Sequence, residues 1–100
     1  MHQVIVRYRV KPERVADNER LVRAVYEELS QTEPDGFRYA TYRLEDGVTF
    51  VHLAQSEHGR GPLPELEAFR RFQEGIAERC DEPPVVSQVE TIGSYNGGPR

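Results

Sequence analysis

The chain opens on a strict alternation. In Gln3–Val10 (QVIVRYRV), Val4, Val6, Tyr8 and Val10 fall on one side and Gln3, Ile5, Arg7 and Arg9 on the other. A period of two with β-branched residues predicts a strand whose valine side faces the core. Lys11-Pro12 ends it, since proline has no N–H to give a ladder. From about Val15 to Gln31 the period changes to 3.6. Leu21, Val22, Val25 and Leu29 form one stripe, with Glu19, Arg20, Arg23, Glu27 and Glu28 on the outer surface. Asp17 or Asn18 could cap the start of this helix, and Thr32-Glu33-Pro34-Asp35-Gly36 is turn chemistry that closes it.

Phe37–Ser56 reads as a β-hairpin, with Asp46-Gly47 between two runs of aromatic and β-branched residues. A two-residue type I′ turn there pairs Glu45 with Val48, Leu44 with Thr49, Arg43 with Phe50, Tyr42 with Val51, Thr41 with His52, Ala40 with Leu53 and Tyr39 with Ala54. One surface then carries Ala40, Tyr42, Leu44, Thr49, Val51 and Leu53, and is expected under the helices. The other carries Tyr39, Thr41, Arg43, Phe50 and His52, and is expected on the helix-free side.

Glu57–Pro64 is a loop by composition. A second helix is expected from about Glu65 to Cys80, with Leu66, Phe69, Phe72, Ile76 and Cys80 as its apolar stripe and Gly75 as a point of close approach to the sheet. Asp81-Glu82-Pro83-Pro84 breaks it, and Val85–Tyr95 supplies the last strand. The order strand, helix, strand, strand, helix, strand predicts an α+β, ferredoxin-like βαββαβ fold: a four-stranded antiparallel sheet with two helices on one face, and the first and third strands central. The domain is expected at 1–95 and a loose tail at 96–100. The helix-free sheet face, with Ile5, Arg7, Arg9 and the second hairpin surface, calls for a cover, most simply a second copy of the chain stacked sheet to sheet.

Composition narrows the function classes. A net charge of −4 on 100 residues argues against nucleic acid as a partner. No apolar run approaches the ~20 residues of a membrane span. Cys80 is the only cysteine, which fits a cytoplasmic setting without disulfides, and Met1 leads directly into the strand pattern. Arginine supplies all basic residues but Lys11, a bias of GC-rich, bacterial genomes. His2, His52 and His58 lack ligand spacing, so no metal site is expected, and Gly59-Arg60-Gly61 lacks the surroundings of a phosphate loop.

His52, mid-strand beside Tyr39, Thr41, Arg43 and Phe50, is the candidate general base, able to take a phenolic proton near pH 7. Arg7, Arg9 or Arg43 could stabilise the resulting oxyanion. The competing reading makes His52 a hydrogen-bonded interface residue and pairs the arginines with Glu45 or Glu90. Tyr39, Thr41 and Phe50, with Phe69 and Phe72 of the second helix, are the candidate substrate-binding residues, although the phenylalanine stripe also suits a plain core.

Three stretches together resemble the dimeric α/β-barrel superfamily, especially its antibiotic-biosynthesis-monooxygenase-like families. They are Val10-Lys11-Pro12-Glu13 after the first strand, Tyr39–Ser56 with Phe50-Val51-His52-Leu53, and Ala68-Phe69-Arg70-Arg71-Phe72 before the last strand. The resemblance covers most of residues 1–95. It implies a homodimer with one pocket per subunit, and for activity a cofactor-independent monooxygenase acting on a small phenolic or quinol compound. It also implies two alternatives, a non-catalytic ligand-binding or stress-related dimer and a polyketide-cyclase-like accessory protein. The tryptophan of the family's catalytic pockets is absent, Asn18 and Asn96 do not supply their asparagine, and the second helix lacks the histidine of haem-degrading relatives.

Overall fold

The computed structural model describes residues 1–96. The chain runs β1 (His2–Val10), α1 (Val15–Thr32), β2 (Phe37–Arg43), β3 (Thr49–Ser56), α2 (Glu67–Gln73), α3 (Ile76–Arg79) and β4 (Cys80–Gln88), with 3-10 turns at Pro12–Arg14 and Leu63–Glu65. The sheet is antiparallel with strand order β2-β3-β1-β4, so β1 and β3 are central. The helices cover one face. Tyr8 and Val10 of β1 and Phe50 of β3 pack there against Val22 and Val25 of α1 and Phe72 of α2. This is the ferredoxin-like α+β architecture that the element order predicts. Of the tail expected at 96–100, residues 97–100 lie outside the described residues.

The valine side of β1 faces the helices as expected, and the hairpin register is the expected one, Tyr39 opposite Ala54 through Arg43 opposite Phe50. The turn differs. Only Gly47 has a positive φ (79°), whereas type I′ needs two such residues. Glu45–Val48 forms a four-residue loop in which Gly47 N–H donates to Leu44 O (2.9 Å) and Leu44 N–H to Thr49 O (2.8 Å). The Asp46 carboxylate accepts the N–H groups of Val48 and Thr49 and the Thr49 hydroxyl. These bonds hold its pKa down to about 2.

The hairpin is inverted relative to expectation. Phe50 and His52 are 3% exposed under the helices, and Tyr39 packs against the same core. Ala40, Tyr42, Val51 and Leu53 turn to the helix-free side, where Tyr42 is 57% exposed. The polar groups of the buried surface go under the helices because partners there satisfy them. No buried side-chain nitrogen or oxygen among the described residues lacks a hydrogen bond.

The expected second helix is interrupted. Gly75 (φ −100°, ψ 12°) separates α2 from the single turn of α3, and the neighbour nearest its missing side chain is the Arg79 guanidinium, 3.5 Å away, rather than the sheet. The last strand begins earlier than expected, at Cys80, and ends at Gln88. Pro83 and Pro84 do not precede it; they lie inside it, at a register irregularity between the pairs Arg7–Val85 and Arg9–Glu82. An edge strand tolerates prolines there.

Candidate functional site

The site is built on His52 in the middle of β3. The strand pairs place Val6 of β1 beside it on one flank and Thr41 of β2 on the other. Tyr8, two residues along β1, brings its hydroxyl to 2.7 Å from His52 Nε2. On the opposite side of the ring, Nδ1 lies 2.8 Å from the Tyr39 hydroxyl and 3.0 Å from Thr41 Oγ1. Tyr26 of α1 extends the group, its hydroxyl 2.8 Å from Thr41 Oγ1. The Tyr8 and Tyr39 rings stack on the imidazole at centroid distances of 5.3 and 5.6 Å, with Phe72 tilted over it at 5.5 Å.

Two further residues complete the group from the helix side. Asn18, fully buried on the inner face of α1, donates its amide N–H to the Tyr8 hydroxyl oxygen (3.0 Å). Arg79, 2% exposed at the end of α3, donates from Nε to Asn18 Oδ1 (3.2 Å) and from Nη2 to Phe72 O (2.7 Å), and its guanidinium lies 5.3 Å from the Phe72 ring centre. None of these bonds goes to a carboxylate. Burial pushes the His52 pKa down from 6.5 to about 4, so the ring is neutral at pH 7. Burial also raises the Tyr8 and Tyr39 hydroxyls above their ordinary value.

A cavity of about 330 Å³ opens between the sheet and α2–α3. Val4, Val6, Phe69, Phe72 and Ile76 give it apolar walls, and Tyr39 and His52 form one polar end. It adjoins a hollow of about 360 Å³ that shares Val4, Leu63, Phe69 and Gln73 with it and is lined further out by Phe37 and Arg60. A pocket of this size suits one small organic molecule. No group of three or more potential metal ligands occurs among the described residues.

Of the residues singled out from the sequence, His52, Tyr39 and Thr41 come together as one hydrogen-bonded cluster, and Phe69 and Phe72 line the cavity beside it. Phe50 stacks on Tyr8 at 5.7 Å and borders a different surface hollow, next to α1. Arg7 lies on the helix-free side of β1, and Arg43 is paired with Glu19 of α1. Neither arginine joins the cluster. Arg9 pairs with Glu82 across to β4 at 3.0 Å, not with Glu45 or Glu90. Tyr8, Asn18, Tyr26 and Arg79 are the members that sequence reasoning missed. The signal was periodicity. Asn18, Val22, Val25 and Leu29 share one helical stripe, so Asn18 points inward and does not act as a cap; α1 in fact starts without a side-chain cap, and Asp17 pairs with Arg14 and Arg20.

No family model matches the sequence, and no curated protein matches it. Solved structures do. One named as an antibiotic biosynthesis monooxygenase superposes with a TM-score of 0.74 at 20% identity, over 93% of this chain and all of that one. A Nitrosomonas europaea protein provisionally given the same name reaches 0.77 at 16% identity, over 93% and 100%. A Pseudomonas aeruginosa protein reaches 0.73 at 18% identity, over 92% and 94%. This chain therefore has the fold of structures carrying the antibiotic-biosynthesis-monooxygenase name, along almost its whole length.

Proposed function

We propose that this chain binds a small phenolic or quinol compound in the cavity beside His52 and oxidises it with dioxygen without a cofactor, acting as a homodimer. The observation that carries the reading is the cavity itself, with apolar walls and a polar end made by Tyr39 and His52. An aromatic ring suits the walls, and its oxygen suits the polar end. The names of structures sharing the fold support the reaction class.

In such chemistry the substrate loses a proton, its anion gives an electron to dioxygen, and the radicals join in a carbon–oxygen bond. Loss of water from the peroxide leaves a carbonyl. The geometry supports a different use of His52 from the general base expected of it. Its pKa is about 4 and both ring nitrogens are hydrogen-bonded, so it is a weak acceptor that holds its neighbours in place. The Tyr39 hydroxyl then stabilises the substrate oxyanion, the part first given to Arg7 and Arg43. Lowering a phenol's pKa from about 10 to 7 takes about 4 kcal/mol, and one hydrogen bond to a charged oxygen gives about 1.5–3 kcal/mol. The substrate's own acidity supplies the rest, so turnover rises with pH up to the substrate's pKa.

The second copy covers the helix-free face, whose apolar groups include Ile5, Tyr42, Val51, Leu53 and Val85, the last 63% exposed. The test is dioxygen uptake with anthrone and with a naphthoquinol, against buffer and heat-killed protein. Uptake that falls at least tenfold in Tyr39→Phe supports the reading. Absence of uptake with either compound, where both bind, leaves a non-catalytic binder, which the doubly engaged His52 also suits.

A further inference from the structure

The hydrogen bonds of the buried cluster have a direction, and it can be worked out one proton at a time. Arg79 has only donors, so Asn18 meets it through Oδ1 and turns its NH2 group to Tyr8. The Tyr8 oxygen therefore accepts from Asn18, and its own proton needs an acceptor. The acceptor within reach is His52 Nε2, 2.7 Å away. If Nε2 carried the proton instead, the Tyr8 O–H would be stranded at a site 1% exposed, at a cost that buried hydroxyls rarely bear. A neutral imidazole has one N–H, so the proton sits on Nδ1 and is shared between the Tyr39 and Thr41 oxygens. Tyr39 thus accepts from His52. Its hydroxyl makes no other hydrogen bond among the described residues, and Tyr39 borders the cavity.

We propose that Arg79 and Asn18 are positioning residues that fix the proton order of this chain, so that Tyr39 presents an O–H donor and the cavity takes ligands through an accepting oxygen, a carbonyl or a phenolate. This rests on the cavity reading above and adds the chemical class that the polar end selects.

Two readouts test it separately. The first needs no ligand. Long-range 1H–15N correlation spectra, with His52 assigned by its loss in His52→Gln, show which ring nitrogen carries the proton. The expected result is the Nδ1–H tautomer in the native protein. In Asn18→Asp the carboxylate still pairs with Arg79 but can only accept from Tyr8. Tyr8 then accepts from Nε2–H, and the tautomer inverts. A native protein with the proton on Nε2 overturns the proposal, whatever the protein binds or oxidises.

The second readout compares 1-tetralone with tetralin, the same skeleton with and without a carbonyl. Tyr39→Phe and Asn18→Asp are each expected to weaken tetralone binding about fivefold, the worth of one hydrogen bond, while tetralin binding stays within twofold. Equal tetralone affinity in native protein and Tyr39→Phe overturns the ligand class even if Asn18→Asp fails to fold. Failure of both compounds to bind overturns the cavity reading and with it the ligand class, while the tautomer spectra judge the proton order on their own.

Discussion

The Tyr8 hydroxyl lies 2.7 Å from Nε2 of His52, 44 residues away along the chain. This contact joins the two central strands beneath the helices and ties both to α1 through Asn18. Tyr8→Phe keeps the ring and its stacking on Phe50 but strands the Asn18 amide and His52 Nε2. Two buried polar groups without partners cost about 1–3 kcal/mol each. The expected loss is about 2–6 kcal/mol in urea unfolding at pH 7, well above that of an exposed Tyr→Phe change such as Tyr42→Phe.

His52 should make stability depend on pH in one particular window. Its pKa is about 4 in the folded chain and 6.5 when unperturbed. Between these values the unfolded state binds a proton that the folded state does not, so stability falls as pH drops from about 6.5 to about 4 and this contribution levels off below. The full effect is about 3 kcal/mol. Asp46, with its pKa held down to about 2, acts in the same direction at lower pH, where its native bonds are lost on protonation. His52→Gln should flatten the unfolding midpoint between pH 6.5 and 4 and leave the more acidic limb unchanged. A curve as steep in the variant as in the native protein would sink the assignment.

Arg79 holds the carbonyl at the end of α2 as well as Asn18. Arg79→Met fills similar space but leaves Phe72 O and Asn18 Oδ1 unpaired, for an expected loss of about 2–4 kcal/mol. Arg79→Lys should recover less than half of it, because a single ammonium cannot reproduce the fork that reaches two acceptors. Denaturant titration of the three proteins decides the point.

Leu53 sits between Ile5 and Ala40 in the middle of the helix-free face. Under the homodimer proposal, Leu53→Glu places two carboxylates in an apolar interface. Native mass spectrometry and sedimentation should then show a dimer for the native chain and a monomer for the variant, with helical circular dichroism unchanged. A native chain that is monomeric at tens of micromolar would refute the assembly.

Much of the fold was legible because it rests on local patterns. The alternation of Gln3–Val10, the stripe from Leu21 to Leu29 and the Asp46-Gly47 signal give β1, α1 and the hairpin register. The facing of the hairpin was not legible in the same way: by residue type the surface of Ala40, Tyr42, Val51 and Leu53 is the more apolar, yet the surface holding Phe50 and His52 is the buried one. The choice is made by long-range partners: Tyr8, Asn18 and Arg79 come from three separate segments, and only their meeting makes a buried His52 tolerable. The site was therefore half visible. His52, Tyr39 and Thr41 stand out on neighbouring strands, whereas the residues that complete them look like an ordinary strand tyrosine, a helix cap and a surface arginine. β4 was misplaced because a Pro-Pro pair reads as a stop, and an edge strand is where that rule relaxes.

That Pro-Pro pair also limits how the sheet can grow. Pro83 and Pro84 carry no amide hydrogen, and the irregularity around them bends β4 out of a clean ladder. A neighbouring chain seeking to add a strand beyond β4 meets an interrupted row of donors. The β4 border of this sheet is therefore a poor template for the open-ended strand addition that leads to fibres.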